Sequence, residues 1–380
     1  MIIPLKYNYR SMLVRRVSTL MTIISIALVV AIFIGVMALA NGIQAALVTS
    51  GDPLNILVLR RGSNSEMSSS VSPEAMQIIK YLPGIKNDPN GTLLVSAEIV
   101  VVINLPRRGE EQRSNIIIRG ISPQGLTLRP QVHLVEGRMY QPGLNEAIVS
   151  HAILRRFENT KIGDQLRLGK ADWKVVGIFD AGNTAFDSEI WVDANQLADD
   201  YNRQSFSSAL LRASDEAAVS SIIQTIENDQ RYNLLAERET EYYREQTRAA
   251  DPIRVLGMFI AVVMGIGGCF AAMNTMYSAV AYRGQEIATL RVLGFKRRSI
   301  LFSFLIESLL LALVGGIIGC LLVWPINGFM TGTTNWRTFS EMAFAFNITP
   351  RLLLEGIILA GVIGLFGGLM PARQAMRQVT

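Results

Sequence analysis

Three groups of residues have the types and spacing to do chemistry or to transmit force. The first is Tyr282 to Ile300, YRGQEIATLRVLGFKRRSI, where Arg283, Arg291, Lys296, Arg297 and Arg298 face one carboxylate, Glu286. Ile287, Leu290 and Leu293 recur there at helical spacing, and Gly294 stands where a glycine closes a helix. An amphipathic helix held at a membrane surface between two spans can dock into a groove on a soluble partner. The same pattern also fits a basic interfacial helix that only anchors its spans. The second group is Glu307, a carboxylate within an apolar run, which by position is either a proton relay or a charge partner. It lies about two turns from the cytoplasmic end, within reach of Arg297, Arg298 or interfacial water, which favours a structural or coupling role. Glu355 reads more simply as interfacial. The third group is Ser150–His151 among the aspartates of the middle region. Triad residues gather only in space, and ordinary surface polar residues are the simpler reading.

Other chemistry is excluded by pattern. No G-x4-G-K-[ST], H-E-x2-H, paired-cysteine or G-x-S-x-G sequence occurs, so no Walker A nucleotide site is expected in this chain. His133 and His151 are too few and too isolated for a metal site. The chain is therefore expected to be no enzyme by itself and to bind no metal or cofactor of its own.

The elements that must position these groups are set by hydropathy. Half of the residues are hydrophobic and 18% are charged, with the apolar residues concentrated toward the two ends. Mean hydropathy is +0.30, too apolar for an ordinary soluble protein. The formal charge of +5 arises mostly beside apolar segments, which points to lipid headgroups and membrane orientation rather than nucleic acid. Cys269 and Cys320 both fall inside expected spans, so no disulfide framework is expected.

Residues 1–16 form a basic amphipathic lead with Lys6, Arg10, Arg15 and Arg16, and 17–40 an uncharged first span. Ala38 and Ala40 make a faint signal-cleavage pattern, and an uncleaved span is favoured. Residues 41–251 change to a soluble α+β character. Their strands and helices arrange as one subdomain (41–120 and 205–251) interrupted by a β-rich insert (121–204). Spans two, three and four are expected at 255–281, 299–329 and 352–371, with a surface helix at 282–298, a loop at 330–351 and a tail at 372–380. Gly315-x3-Gly319 and Gly364-x3-Gly368 are small-residue motifs that let helix backbones approach closely. Cations cluster at Lys6–Arg16, Arg283–Arg298, and Arg373 with Arg377, while the loop holding Arg337, Glu341 and Arg351 has a weaker bias. The positive-inside rule then puts both termini in the cytoplasm and the 41–251 domain outside it. The expected fold is an α-helical membrane protein with four transmembrane helices and a large extracytoplasmic α+β domain between helices 1 and 2.

The motifs also carry a resemblance. Arg283-Gly-Gln-Glu286-Ile287, Leu290-Arg291 and Leu293-Gly294 followed by a basic cluster resemble the cytoplasmic loop of the MacB–FtsX permease family, the type VII or mechanotransmission ABC transporters. Leu305-Ile-Glu307, Leu313-Val-Gly315-Gly316-x2-Gly319, and Gly367-Gly368-Leu-Met-Pro371-Ala372-x2-Ala375 resemble later parts of the family's permease region. Glu146-Ala-Ile-Val149, Ile162-Gly163-Asp164 and Val175-Val176-Gly177-Ile178 fit its extracytoplasmic domain. The chain departs from many relatives by lacking a further Pro-x2-Ala-Leu segment after the Pro-Ala motif. It is similar to split-gene members that lack a fused ATPase.

The resemblance implies a permease subunit in the bacterial cytoplasmic (inner) membrane. A second permease copy, or a related chain, would pair with it, and a separate cytoplasmic ATPase holding ATP and Mg would drive it. The coupling helix with Arg283, Glu286, Ile287, Leu290, Arg291, Leu293 and Gly294 would receive force and move the outer domain. Efflux or lipoprotein handling, with a periplasmic adaptor as a further partner, is one implied role, and activation of a cell-wall hydrolase is another. A membrane sensor that uses no ATPase is the reading from a different class.

Overall fold

The computed structural model describes residues 16–335 and 339–377. These divide into a helical unit, made of the chain up to Asn41, Ala250–Phe329 and the chain from Phe346, and a globular unit of Gly42–Ala249 with Met330–Ala345. The lead at 1–15, Arg337 in the loop and the end of the tail at 378–380 lie outside the described residues.

The chain opens with α1 (Arg16–Val48), and its apolar run carries no charge to stop it. The helix continues past the expected end at residue 40, since neither Asn41 nor Gly42 breaks it. Gly42 is needed there because a side chain would strike the carbonyl oxygen of Ala345.

In the globular unit, β1 (Asn55–Arg60) precedes α2 (Pro73–Lys80). Ser72 caps that helix, its hydroxyl accepting from the Ala75 amide at 3.2 Å, with proline at the first position. Then come β2 (Val95–Pro106), β3 (Arg113–Ile121), β4 (His133–Gly137), β5 (Glu146–Ser150), α3 (His151–Arg156), β6 (Gln165–Leu168) and β7 (Ala171–Asp180). β8 (Glu189–Asp193), α4 (Ala194–Asp200), β9 (Ser208–Arg212), α5 (Glu216–Asn228), β10 (Leu234–Arg238) and α6 (Glu239–Thr247) complete that run. Asp193 and Asp215 cap α4 and α5 through the Gln196 and Ala218 amides at 3.0 and 2.8 Å. The strands form one sheet in the order β10-β1-β9-β2-β3-β8-β5-β7-β4, with β6 beside β7. Only the β3–β8 and β5–β7 pairs among these are parallel.

Two hydrophobic cores lie along this sheet. Ile56, Val58, Val71, Ile79, Leu211 and Ile222 belong to one, and Ile99, Ile118, Val149, Trp173, Ile190 and Leu197 to the other. The change of core falls inside β2, which corrects the expected start of the insert at residue 121. β2 is 12 residues long, so Val95–Glu98 pair with β9 while Ile99–Pro106 pair with β3. One strand thus serves both cores, and no boundary was visible in its unbroken β-branched run.

The helical unit continues with α7 (Asp251–Tyr282), α8 (Gly284–Val292) and α9 (Arg297–Val323). α7 begins four residues before the expected span, with Pro252 in its first turn. α9 ends sooner than expected, at a 3-10 turn containing Pro325. The 330–351 loop is also corrected: it contains an antiparallel hairpin, β11 (Met330–Asn335) with β12 (Ser340–Ala345), which belongs to the globular unit. Its threonine-rich, weakly apolar sequence gave little period-2 signal. The last helix, α10 (Pro350–Arg377), runs through Pro371, because Ala372 and Ala375 beyond it are buried. Among the described residues, helices long and apolar enough to cross a membrane number four: α1, the α6–α7 run, α9 and α10.

Candidate functional site

The candidate site is the turn from α7 through α8 into α9. α8 closes with Gly294 at φ +90, a backbone conformation that favours glycine. The Phe295 amide donates to the Leu290 carbonyl at 3.1 Å, and the Gly294 amide to the Arg291 carbonyl at 3.1 Å. These two bonds are the Schellman pattern, so Gly294 ends the helix and turns the chain at once. Lys296 follows in an extended conformation and α9 starts at Arg297.

Ile287 is buried and Leu290 half-buried, both against Met276, Val280, Ile300, Phe304, Leu311, Ala372 and Ala375. α8 therefore shares a core with the adjoining ends of α7, α9 and α10. Leu293 leaves the face expected for it: it is 65% exposed, beside Val292 at 85%. The reason is its place at the helix end, where the chain is already turning into the glycine. Glu286, Lys296, Arg297 and Arg298 are exposed around these two apolar residues, and Arg291 is half-buried.

Arg283 is the least exposed cation of the stretch, 7% exposed. Its Nη1 donates to Glu307 Oε2 at 2.9 Å, its Nε lies 3.8 Å from Glu286 Oε2, and its guanidinium sits 5.8 Å from the Phe304 ring centroid. This corrects the expected partner of Glu307. Arg297 and Arg298 lie in the first turn of α9, some 15 Å of helix rise away, whereas Arg283 reaches across from the end of α7. Removing either member of such a buried pair strands the other charge.

Glycines let the long helices close around this core. A Cβ on Gly315 or Gly319 would lie 3.0 or 2.7 Å from the Ile23 or Ala27 carbonyl oxygens of α1. On α10, a Cβ at Gly368 would lie 2.5 Å from Ser308 Cβ, and one at Gly364 would strike Ala312. Gly367 meets Ala272 of α7 in the same way, at 2.7 Å. The Ser308 hydroxyl also donates to the Gly364 carbonyl.

The globular unit holds a charge cluster that sequence reasoning missed. Arg119 of β3 donates to Glu66 at 2.8 and 2.9 Å, to Glu189 at 2.7 and 2.8 Å, and to Glu98 at 2.7 Å. Arg129 donates to Glu98 at 2.6 and 2.9 Å, and its Nε stands 3.9 Å from Glu239. All six side chains are buried. Burial by itself would raise the Glu66 carboxyl, but Arg119 holds it below the ordinary value. Glu239 has no such close partner, and burial pushes it up to about 7. The only sequence signal was single charges inside β-branched runs, Glu98 and Arg119. A second ion cluster joins Glu341 of β12 to Arg107 at 2.7 Å and to Arg156.

Ser150 caps α3, accepting from the Ile153 amide at 3.2 Å while its hydroxyl donates to the Asp187 carbonyl at 2.5 Å. Its hydroxyl is thus committed to structure. Among the described residues no cluster of His, Cys, Asp and Glu is suited to a metal ion.

Two family models match. The MacB-like periplasmic core domain covers residues 19–229, and the FtsX-like permease C-terminal region covers 258–380. The ABC transporter permease YknZ of Bacillus subtilis is 22% identical, covering 97% of this chain and 94% of its own. The macrolide export ATP-binding/permease protein MacB of Hahella chejuensis is 21% identical over 98% of this chain. The chain spans 58% of that relative's length. Among solved structures, the extracellular domain of YknZ covers 48% of the chain at 18% identity with a TM-score of 0.37. The periplasmic region of MacB from Actinobacillus actinomycetemcomitans covers 53% at 12% identity, with a TM-score of 0.39.

Proposed function

The chain belongs to the MacB-like, FtsX-like family of ABC transporter permeases, and on that footing we propose that it transmits work from a cytoplasmic ATPase to its globular unit. The family implies the ATPase partner, in which ATP and Mg would act. The observation that carries the proposal is the shared core beneath α8. Ile287 and Leu290 pack on residues of α7, α9 and α10, and Arg283 is tied to Glu307 of α9. A partner pressing on exposed Val292 and Leu293 would move these helix ends together, since a packed core transmits displacement. The basic rim of Lys296, Arg297 and Arg298 supports a cytoplasmic position for this turn, with both termini on that side and the globular unit opposite.

Two permease copies working with two ATPase subunits is the assembly we favour, in the bacterial inner membrane. The cargo class we favour is a substrate met outside the cytoplasm, in efflux or lipoprotein handling. Glu307 is the one acidic residue of α9 and is paired, which supports a coupling role over a polar path through the spans.

Co-purification with a cytoplasmic ABC ATPase tests this reading. Leu293→Asp or Glu286→Lys is expected to collapse the ATPase turnover stimulated by the permease while leaving the permease folded. Unchanged turnover, or no ATPase partner, would overturn it. Orientation is checked separately by labelling single cysteines at Arg291 and Asp172, expected in opposite compartments.

A further inference from the structure

The second span is the most open of the long helices: 22% of its most apolar window is buried, against 33–39% in the other three. Along it, Leu256, Val263, Gly267, Phe270 and Asn274 fall on a 3.5-residue repeat and share one face. Leu256, Val263 and Phe270 are 52–63% exposed. Two members of this seam are out of place on a lipid-covered surface.

Asn274 is the first. Its side chain is exposed and makes no hydrogen bond among the described residues, while its backbone carbonyl accepts from the Ser278 hydroxyl at 3.1 Å. It stands eight residues, about 12 Å of rise, before the helix end at Tyr282, within hydrocarbon depth. A primary amide left there without a partner is costly. Gly267 is the second. Gly257, Gly268 and Gly367 each meet a neighbouring helix where a Cβ would stand, but nothing lies within 4 Å of a Cβ built at Gly267. Its exposed notch, two turns from Asn274, leaves room for a close backbone approach that the chain itself does not use.

An amide is both donor and acceptor, so it is satisfied by an identical amide across a two-fold axis. A single asparagine in an apolar seam also sets the register of paired helices. We propose that the second span pairs with the same span of a second copy along this seam. Asn274 hydrogen-bonds to Asn274 of the partner subunit, and the backbones come closest near Gly267. The inference rests on the reading that two copies of the permease work together, and it names the surface that joins them.

The full-length chain, with Cys269 and Cys320 replaced by alanine, is tested in membranes by oxidative cross-linking of single cysteines. Phe270→Cys and Asn274→Cys are expected to give dimers. Met258→Cys and Val262→Cys, equally exposed but about 160° and about 120° around the helix from Asn274 by its 100° per residue, are expected not to. In detergent, Asn274→Leu should weaken self-association roughly five- to thirty-fold, while Asn274→Gln stays close to the parent. Dimers that cross-link only at 258 or 262, or an unchanged affinity in Asn274→Leu, would overturn the seam while leaving a paired permease intact. A chain that is monomeric by both measurements would overturn the seam and the pairing together.

Discussion

Replacing Glu239 with glutamine should remove a pH dependence from the stability of the globular unit. Glu239 opens α6, is buried, and accepts from the Asp52 amide at 3.1 Å and the Asn55 side chain at 2.9 Å. Arg129 is the nearest cation, at 3.9 Å, too far to offset burial, so the carboxyl is raised from 4.5 to about 7. The sign follows from proton linkage. Below 4.5 the group is protonated in both states and its stabilisation is fully present. As pH rises toward 7 the unfolded chain ionises while the folded one holds its proton, so stability falls by up to about 3 kcal/mol and levels off above that range. Glutamine cannot ionise and should be nearly as stable as the parent at pH 4.5 and more stable at pH 8. For a unit of this size the gap corresponds to a midpoint difference of about 6–12 °C. Tryptophan fluorescence is the assay, since Trp173 and Trp191 are fully buried in this unit and report its unfolding in the full-length chain. If the two midpoints stay within about 2 °C of each other from pH 4.5 to 8, the raised carboxyl is refuted.

Three further outcomes follow from the same structure. Arg119→Met should destabilise the globular unit by about 3–5 kcal/mol, measured by the same fluorescence melt, because Glu66, Glu98 and Glu189 lose their shared partner. Gly319→Val places a side chain against the Ala27 carbonyl, where a Cβ already comes within 2.7 Å, and should sharply reduce folded, extractable protein; Gly35→Ala, with open space around it, should not. Glu341→Ala frees β12 from Arg107 and Arg156, and should raise amide exchange in β11 and β12 while leaving exchange in β5 unchanged.

How much of this was legible varies with the distance between partners. Ser72, Asp193 and Asp215 act on amides three residues away, so cap and helix are fixed within one short run of sequence. Gly294 was legible for the same reason. Leu293 was not, because the face of a helix-terminal residue depends on where the chain turns. The hairpin β11–β12 and the edge strand β4 lack a clear alternation, and β4 is exposed along its whole length. The Glu66–Arg119 and Arg119–Glu189 pairs span 53 and 70 residues, and nothing local to a glutamate announces which arginine it meets.

The sequence by itself determined the four apolar helices, the globular segment between the first two, and the basic turn with its closing glycine. Hydropathy, charge and backbone propensity act over a few residues, and such terms are written along the chain. Only the tertiary structure decided that Glu307 answers Arg283, that β2 serves two cores, and that an asparagine and a glycine on the second span remain uncovered. Each of those depends on which distant surfaces meet, a matter of burial and shape that no local run of residues contains.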